Sequence, residues 1–123
     1  MSRTIKIGGK DRLISFGLKA ISELVDHEDW GFAKLGQKMS SNPLVTTPLI
    51  VFYGAKNGAE RNGEVVDFTI SDVYDWIEDI GLSHPDLITL INDFAKSLVG
   101  YLNDLKGDSE GANKEKSEEV KKK

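Results

Sequence analysis

The 123-residue sequence predicts a mainly α-helical domain with a small N-terminal β-hairpin, a compact helical bundle over residues 1–105 and a disordered, charged tail over residues 106–123. Three observations carry that expectation. A Gly-Gly pair separates two short stretches of alternating apolar and polar residues at the N-terminus. After Gly17, apolar residues recur at the three- and four-residue spacing of amphipathic helices. From Lys106 onward, "KGDSEGANKEKSEEVKKK" holds Val120 as its one sizeable apolar residue, too little burial to offset chain entropy.

The opening "IKIGGKDRLISF" reads as a hairpin because Gly8-Gly9 tolerates the positive φ angles of a two-residue turn. That turn sets Ile7 opposite Lys10, Lys6 opposite Asp11 and Ile5 opposite Arg12. Side chains alternate across the ribbon, so Ile5, Ile7, Ile14 and Phe16 share one face, and Lys6 and Asp11 form a cross-strand ion pair on the other. Gly17 releases the chain into a helix with Leu18, Ile21, Leu24 and Val25 on one side. A break at Gly31 precedes a short helix bearing Phe32, Leu35 and Met39, which Asn42-Pro43 ends. The run "PLIVFYGAKNG" starts a helix at Pro48 and stops it at Asn57-Gly58. "AERNGEVVDF" is a polar excursion, a surface loop or a small second hairpin.

Two further helix starts carry capping-box spacing, Thr69 with Asp72 and Ser83 with Asp86. The first opens a helix with Val73, Trp76, Ile77 and Ile80 on one face and Asp72, Asp75, Glu78 and Asp79 on the other, ended by Gly81. The second opens the longest helix. There Leu87, Ile91, Phe94, Leu98, Tyr101 and Leu105 step alternately by four and three, with Ile88, Ala95, Val99 and Leu102 as a second apolar flank. That seam is too short for a free-standing coiled coil and suits a bundle core, while its breadth leaves room for a partner. These six residues, with Ile5, Ile7, Ile14 and Phe16, are the candidate surface for self-association or partner binding.

Chemistry is sparse. Net charge is −4, from 20 acidic and 16 basic residues, and the acidic excess lies before Lys106, which argues against nucleic acid as a partner. The chain has no cysteine, hence no disulfide or thiolate metal site. No export signal is evident near the start, and "PLIVFYGA" is too short to span a bilayer, so a cytoplasmic protein is expected. "GGK" lacks the spacing of a phosphate-binding loop. His27, in "DHED", has no second histidine at helical spacing and reads as a solvated helix end rather than a metal ligand. His84, in "SHPD", fits helix capping better than a catalytic triad, whose members come from distant positions. The four acids after Thr69 face away from the apolar stripe and read as a solvated face rather than acid–base machinery. No enzyme signature and no cofactor site emerge.

The order of the hairpin, "FGLKAISEL", "LIVFYGAKNG" and "TISDVYDWIEDIG" resembles the tail assembly chaperones of long-tailed bacteriophages, over roughly residues 3–105. The matching features are the strand–Gly–turn–strand opening and the helix entry at Phe16. They continue with the aromatic-Gly-Ala-Lys segment from Phe52 to Lys56 and the Thr-capped acidic helix from Thr69 to Ile80. The turn is Gly-Gly where that family more often has Asn-Gly, and the excursion from Asn57 to Phe68 is longer. The resemblance implies a non-catalytic protein of the host cytoplasm that coats and solubilises the tape measure protein, helps recruit tail tube protein, forms homo-oligomers and leaves before the tail is complete. In many members of that family a ribosomal slip also yields a longer minor product, and an adenine-rich slip site is expected in the codons of Lys121 to Lys123, a Lys-rich end being also what a soluble tail carries. A phage head–tail joining protein is the alternative, to be told apart by its presence in purified virions.

Overall fold

Gly8 and Gly9, at φ angles of 65° and 84°, turn the chain back so that β1 (Ser2–Ile7) pairs antiparallel with β2 (Lys10–Ser15). The register is Ile5 opposite Arg12, Lys6 opposite Asp11 and Ile7 opposite Lys10, as the turn dictates. The computed structural model describes residues 2–110. Within that range the hairpin is followed by α1 (Leu18–Glu28), α2 (Gly31–Ser41), α3 (Pro43–Arg61), α4 (Ile70–Ile80) and α5 (Pro85–Glu110), a mainly helical fold with one two-stranded sheet. The expected disorder and the lysine run beyond Glu110 lie outside the described residues. Helix α5 itself continues past the expected boundary at Leu105.

Helix α3 is the hub, packed against β2, α1, α2, α4 and α5. It starts earlier and ends later than its sequence signals suggest. Pro43 takes the first helical position, where a missing N–H costs nothing, and Pro48 lies inside the helix. Asn57 and Gly58 are buried in the helix interior rather than stopping it. Asn62 and Gly63 make the real C-terminus, where the Glu64 N–H reaches back to the Ala59 carbonyl at 2.8 Å. The excursion after it is a loop with no strand, and Phe68 at its end enters the core.

Gly54 and Gly58 explain why the hairpin sits so close to α3. A Cβ on Gly54 would lie 2.5 Å from the Phe16 ring, and one on Gly58 would lie 2.5 Å from the Leu13 carbonyl carbon. Both are closer than side chains pack, so these two glycines, one helical turn apart, form a flat track for β2. The inner hairpin face then meets α4 and α5. Phe16 packs edge-on against Phe94, ring centroids 5.4 Å apart, and Arg3 forms a bidentate pair with Asp93 at 2.8 and 3.3 Å. Hydrogen bonding to Asp93 holds the Arg3 guanidinium above its ordinary pKa. Asp93 is 6% exposed, so its carboxylate needs that cation far more than the exposed arginine needs the carboxylate.

Arg12 shares the inner face with the isoleucines and is accommodated there without a carboxylate. Its guanidinium carbon lies 4.2 Å from the Trp76 ring centroid and 5.4 Å from that of Phe68. Its N–H groups donate to the carbonyls of Ile7 and Gly8 at 2.9 and 3.2 Å. The expected Lys6–Asp11 pair does not form; it is absent from the ion pairs found among the described residues. Both side chains are exposed on the outer face, where holding two long groups together gains little in water.

The Thr69 capping box is complete: Thr69 Oγ1 accepts from the Asp72 N–H at 3.2 Å and Asp72 Oδ2 accepts from the Thr69 N–H at 2.8 Å. The second box is displaced by one residue. His84 Nδ1, not Ser83, accepts from the Asp86 N–H at 3.1 Å, while the His84 carbonyl takes the Leu87 and Ile88 N–H groups. An imidazole nitrogen thus fills the role expected of a hydroxyl. In α1, Ile21 and Leu24 are buried as expected, but Leu18 is 61% exposed. A charge cluster ties these two helices: Lys56 Nζ reaches Glu23 at 3.1 Å and Glu60 at 3.2 Å, and Lys19 Nζ reaches Glu60 at 3.0 Å. Hydrogen bonding from Lys19 is the main cause that holds the Glu60 carboxyl below its usual range.

Candidate functional site

The ten candidate surface residues divide sharply. Ile5, Ile7, Ile14, Phe16, Leu87, Phe94 and Leu98 are buried core, Ile91 and Tyr101 are half-buried, and Leu105 is exposed. The structure brings the hairpin four and the first half of the α5 seam together around Phe16 and Phe94, so these side chains hold the domain and are not presented to a partner. Leu90, absent from the four–three series, is fully buried between Leu87 and Phe94. A helix with 3.6 residues per turn buries a stripe wider than a strict a/d seam, which is why it belongs to the core.

The free apolar surface lies elsewhere, where the start of α3, the α4–α5 turn and the start of α5 meet. Leu44 is 63% exposed, Leu82 53%, Ile88 49% and Tyr74 45%. They border two adjoining clefts of about 330 and 370 Å³ that share Leu44 and Leu82. The floor of the first is Leu87 and Ile91, and that of the second is Pro48 and Ile77. Local sequence explains each wall. Pro43 at the first helical position places Leu44 in the first turn of α3, and Gly81, at φ 91°, ends α4 so that Leu82 falls in the turn. Ile88 stands in the first turn of α5, exposed beside the buried Leu87.

Glu78 lines the groove, and Asp75 and Asp79 are exposed on the same helix. The site is therefore apolar at its centre with the Glu78 carboxylate on its α4 side, while Asp79 lines a separate cleft beside Trp76. A continuous exposed apolar patch with a charged rim is the usual mark of a protein-binding surface rather than a reaction centre. No group of three or more metal-ligating side chains is present among the described residues, and no helix among them is long and apolar enough to cross a membrane. Sequence reasoning missed Leu44, Tyr74 and Leu82 because none lies on a periodic stripe. The available signal was Leu82 itself, an apolar residue in the turn "GLSHP" with no neighbour to cover it.

A second free surface is the outer edge of β1. With Ile7 and Lys10 closing the turn as a hydrogen-bonded pair, Thr4 and Lys6 direct their backbone groups away from β2. No backbone hydrogen bond among the described residues reaches that edge. The corresponding edge of β2 is covered, since the Leu13 carbonyl faces Gly58 of α3. The far end of α5 adds a shallow strip at Ala95, Val99 and Gly100, beyond which Leu105 is exposed.

Comparison with protein-family models, with curated proteins and with solved structures gives no match to this chain.

Proposed function

We propose that this protein is a non-catalytic assembly chaperone of the phage-tail kind. On this reading it keeps the apolar helical stripes of a tape measure protein in solution and helps bring tail tube subunits to it in the host cytoplasm. The observation that carries the reading is the exposed groove around Leu44, Leu82 and Ile88 in a domain whose core is otherwise closed. An amphipathic helix lays its apolar face into such a groove, and a basic residue flanking that face would meet Glu78. The resemblance of the sequence's order of features to that of tail assembly chaperones supports the same reading.

Co-expression tests it. The chain is expected to keep its tape measure protein in the soluble fraction, and the pair to stay together through moderate salt, because apolar burial dominates the contact. The double variant Leu44→Glu with Ile88→Glu places charges on two exposed walls and is expected to weaken the complex by about tenfold or more, with an unchanged thermal midpoint. A complex indifferent to both substitutions would overturn the groove as the docking surface.

Self-association belongs to the same proposal, through the free β1 edge. Thr4→Pro is the selective probe, since the Thr4 N–H points away from β2 and its loss removes no bond within the hairpin. Sedimentation mass is expected to rise with concentration for the natural chain and to stay at the monomer for Thr4→Pro. A natural chain that remains monomeric at high concentration rules out pairing through this edge.

A further inference from the structure

At the start of α1, on the far side of the domain from the groove, is a cleft of about 370 Å³ lined by Gly17, Leu18, Lys19, Asn57, Glu60 and Arg61. Three unmet requirements converge on it. Gly17 is the N-cap and has no side chain, and the first turn of α1 contains no acidic residue. The N–H groups of Leu18, Lys19 and Ala20 consequently have no backbone acceptor, whereas the next, Ile21, bonds the Gly17 carbonyl at 3.2 Å. Asn57 is 4% exposed, and its Oδ1 has no hydrogen-bond partner. That oxygen lies 3.5 Å from where a Cβ on Gly17 would stand, and Arg61 Nη2 lies 3.6 Å from the same point.

The charges around the cleft favour an anion. Lys19 and Glu60 neutralise each other at 3.0 Å, and Lys56 also contacts Glu60. Arg61 meets only hydroxyls, donating from Nη1 to Ser15 at 3.2 Å and to Ser2 at 3.5 Å, which leaves its positive charge unbalanced and Nη2 free. A helix N-terminus with uncapped N–H groups and a guanidinium beside it suits a carboxylate or phosphate oxygen. Asn57 narrows the choice. Its buried Oδ1 is an acceptor, so the ligand that satisfies the whole site carries a donor next to its anionic oxygens. The C-terminus of a peptide has that arrangement, a carboxylate and an amide N–H on the same residue, joined through one Cα.

We propose that this cleft binds the C-terminal carboxylate of a partner polypeptide, with the α1 N–H groups and Arg61 on the carboxylate and Asn57 Oδ1 on the terminal N–H. A backbone-lined pocket that captures a chain terminus is an established mode of peptide recognition. The site is independent of the apolar groove.

The test is a titration of the isotopically labelled full chain followed by amide NMR. The probes are N-acetyl-dialanine as its free acid, the same peptide as its C-terminal amide, acetate and inorganic phosphate. The free acid is expected to shift the Leu18, Lys19 and Ala20 resonances saturably. The amidated peptide should leave them in place, and acetate and phosphate should bind more weakly. Arg61→Gln, at an exposed position, is expected to weaken binding of the free acid by about tenfold. Gly17→Asp is the decisive variant. The position has ordinary space and ordinary φ, so the new carboxylate would cap α1 from within, raise the thermal midpoint and abolish the titration. Equal shifts from acid and amide, no saturable shift, tighter binding of acetate or phosphate, or a Gly17→Asp chain that still titrates would each overturn the proposal.

Discussion

Gly58→Ala is expected to lower the unfolding free energy by about 3 kcal/mol, although the same exchange in an unencumbered helix raises stability by about 1 kcal/mol. The sign reverses because the new methyl would fall on the Leu13 backbone carbonyl, which has no rotamer by which to retreat. Relief requires the whole of β2 to lift from α3. The inner hairpin face would then withdraw from Phe94 and Asp93, since Phe16 and Arg3 travel with the ribbon. Gly100→Ala is the internal control, a glycine in α5 with open space around its Cβ, and it should gain stability. Urea titration of the two variants, compared at unchanged m-value, separates packing from helix propensity. If Gly58→Ala proves as stable as Gly100→Ala, the close seat of the hairpin on α3 is not what holds the domain together.

Gly58 also marks the boundary between what could and could not be read from sequence. In the hairpin, local chemistry and tertiary demand agree: a Gly-Gly turn allows one short register, and that register puts the isoleucines on the face the helices need. Thr69 and Asp72 agree likewise, because both halves of their capping box lie within four residues. Asn57-Gly58 carries an equally plain local message, to stop, and the fold overrides it. The glycine is there for its missing Cβ rather than its backbone freedom, a reason that exists only once β2 lies against it. Pro48 was misread for a related cause. A proline early in a helix looks like a start, and Pro43 had already supplied one.

The candidate site was less legible than the fold, and the reason is geometric. Periodicity identifies residues that face inward, so it found Leu87, Phe94 and Leu98 and named them as surface because the seam looked broader than the bundle needed. Their burial uses up the inward face. What is left exposed, at Leu44, Tyr74 and Leu82, comes from three different elements that meet only in space. Such a patch has no period to detect. The unpartnered Asn57 and the bare N-terminus of α1 are further examples: each residue is unremarkable alone, and their meaning lies in a shared cleft.

Trp76→Ala should cost about 3 kcal/mol and loosen the hairpin before the helices. Trp76 is only half-buried, yet it is the surface on which the turn rests. A Cβ on Gly8 would stand 2.5 Å from its ring, Phe68 packs at a centroid distance of 5.1 Å, and the Arg12 guanidinium lies over it at 4.2 Å. Removing the indole takes away apolar contact and also uncovers a cation on the inner face of the hairpin, so the two losses are coupled. Trp76→Phe keeps an aromatic face and should recover much of the deficit, because a smaller ring still shields Arg12, while a cation–π contact of this kind is worth about 1 kcal/mol. A double-mutant cycle with Arg12→Met isolates that coupling, since the apolar replacement needs no aromatic cover. Amide exchange is the site-resolved measurement. Protection should fall first at β1 and β2, and later in α3, whose burial is supplied by five neighbours. Uniform loss of protection throughout the chain would mean that hairpin and helices unfold as one unit. Because the β1 edge rides on the same ribbon, a loosened hairpin should also weaken self-association, and a Trp76→Ala chain that associates as the natural one does would count against the edge as the contact.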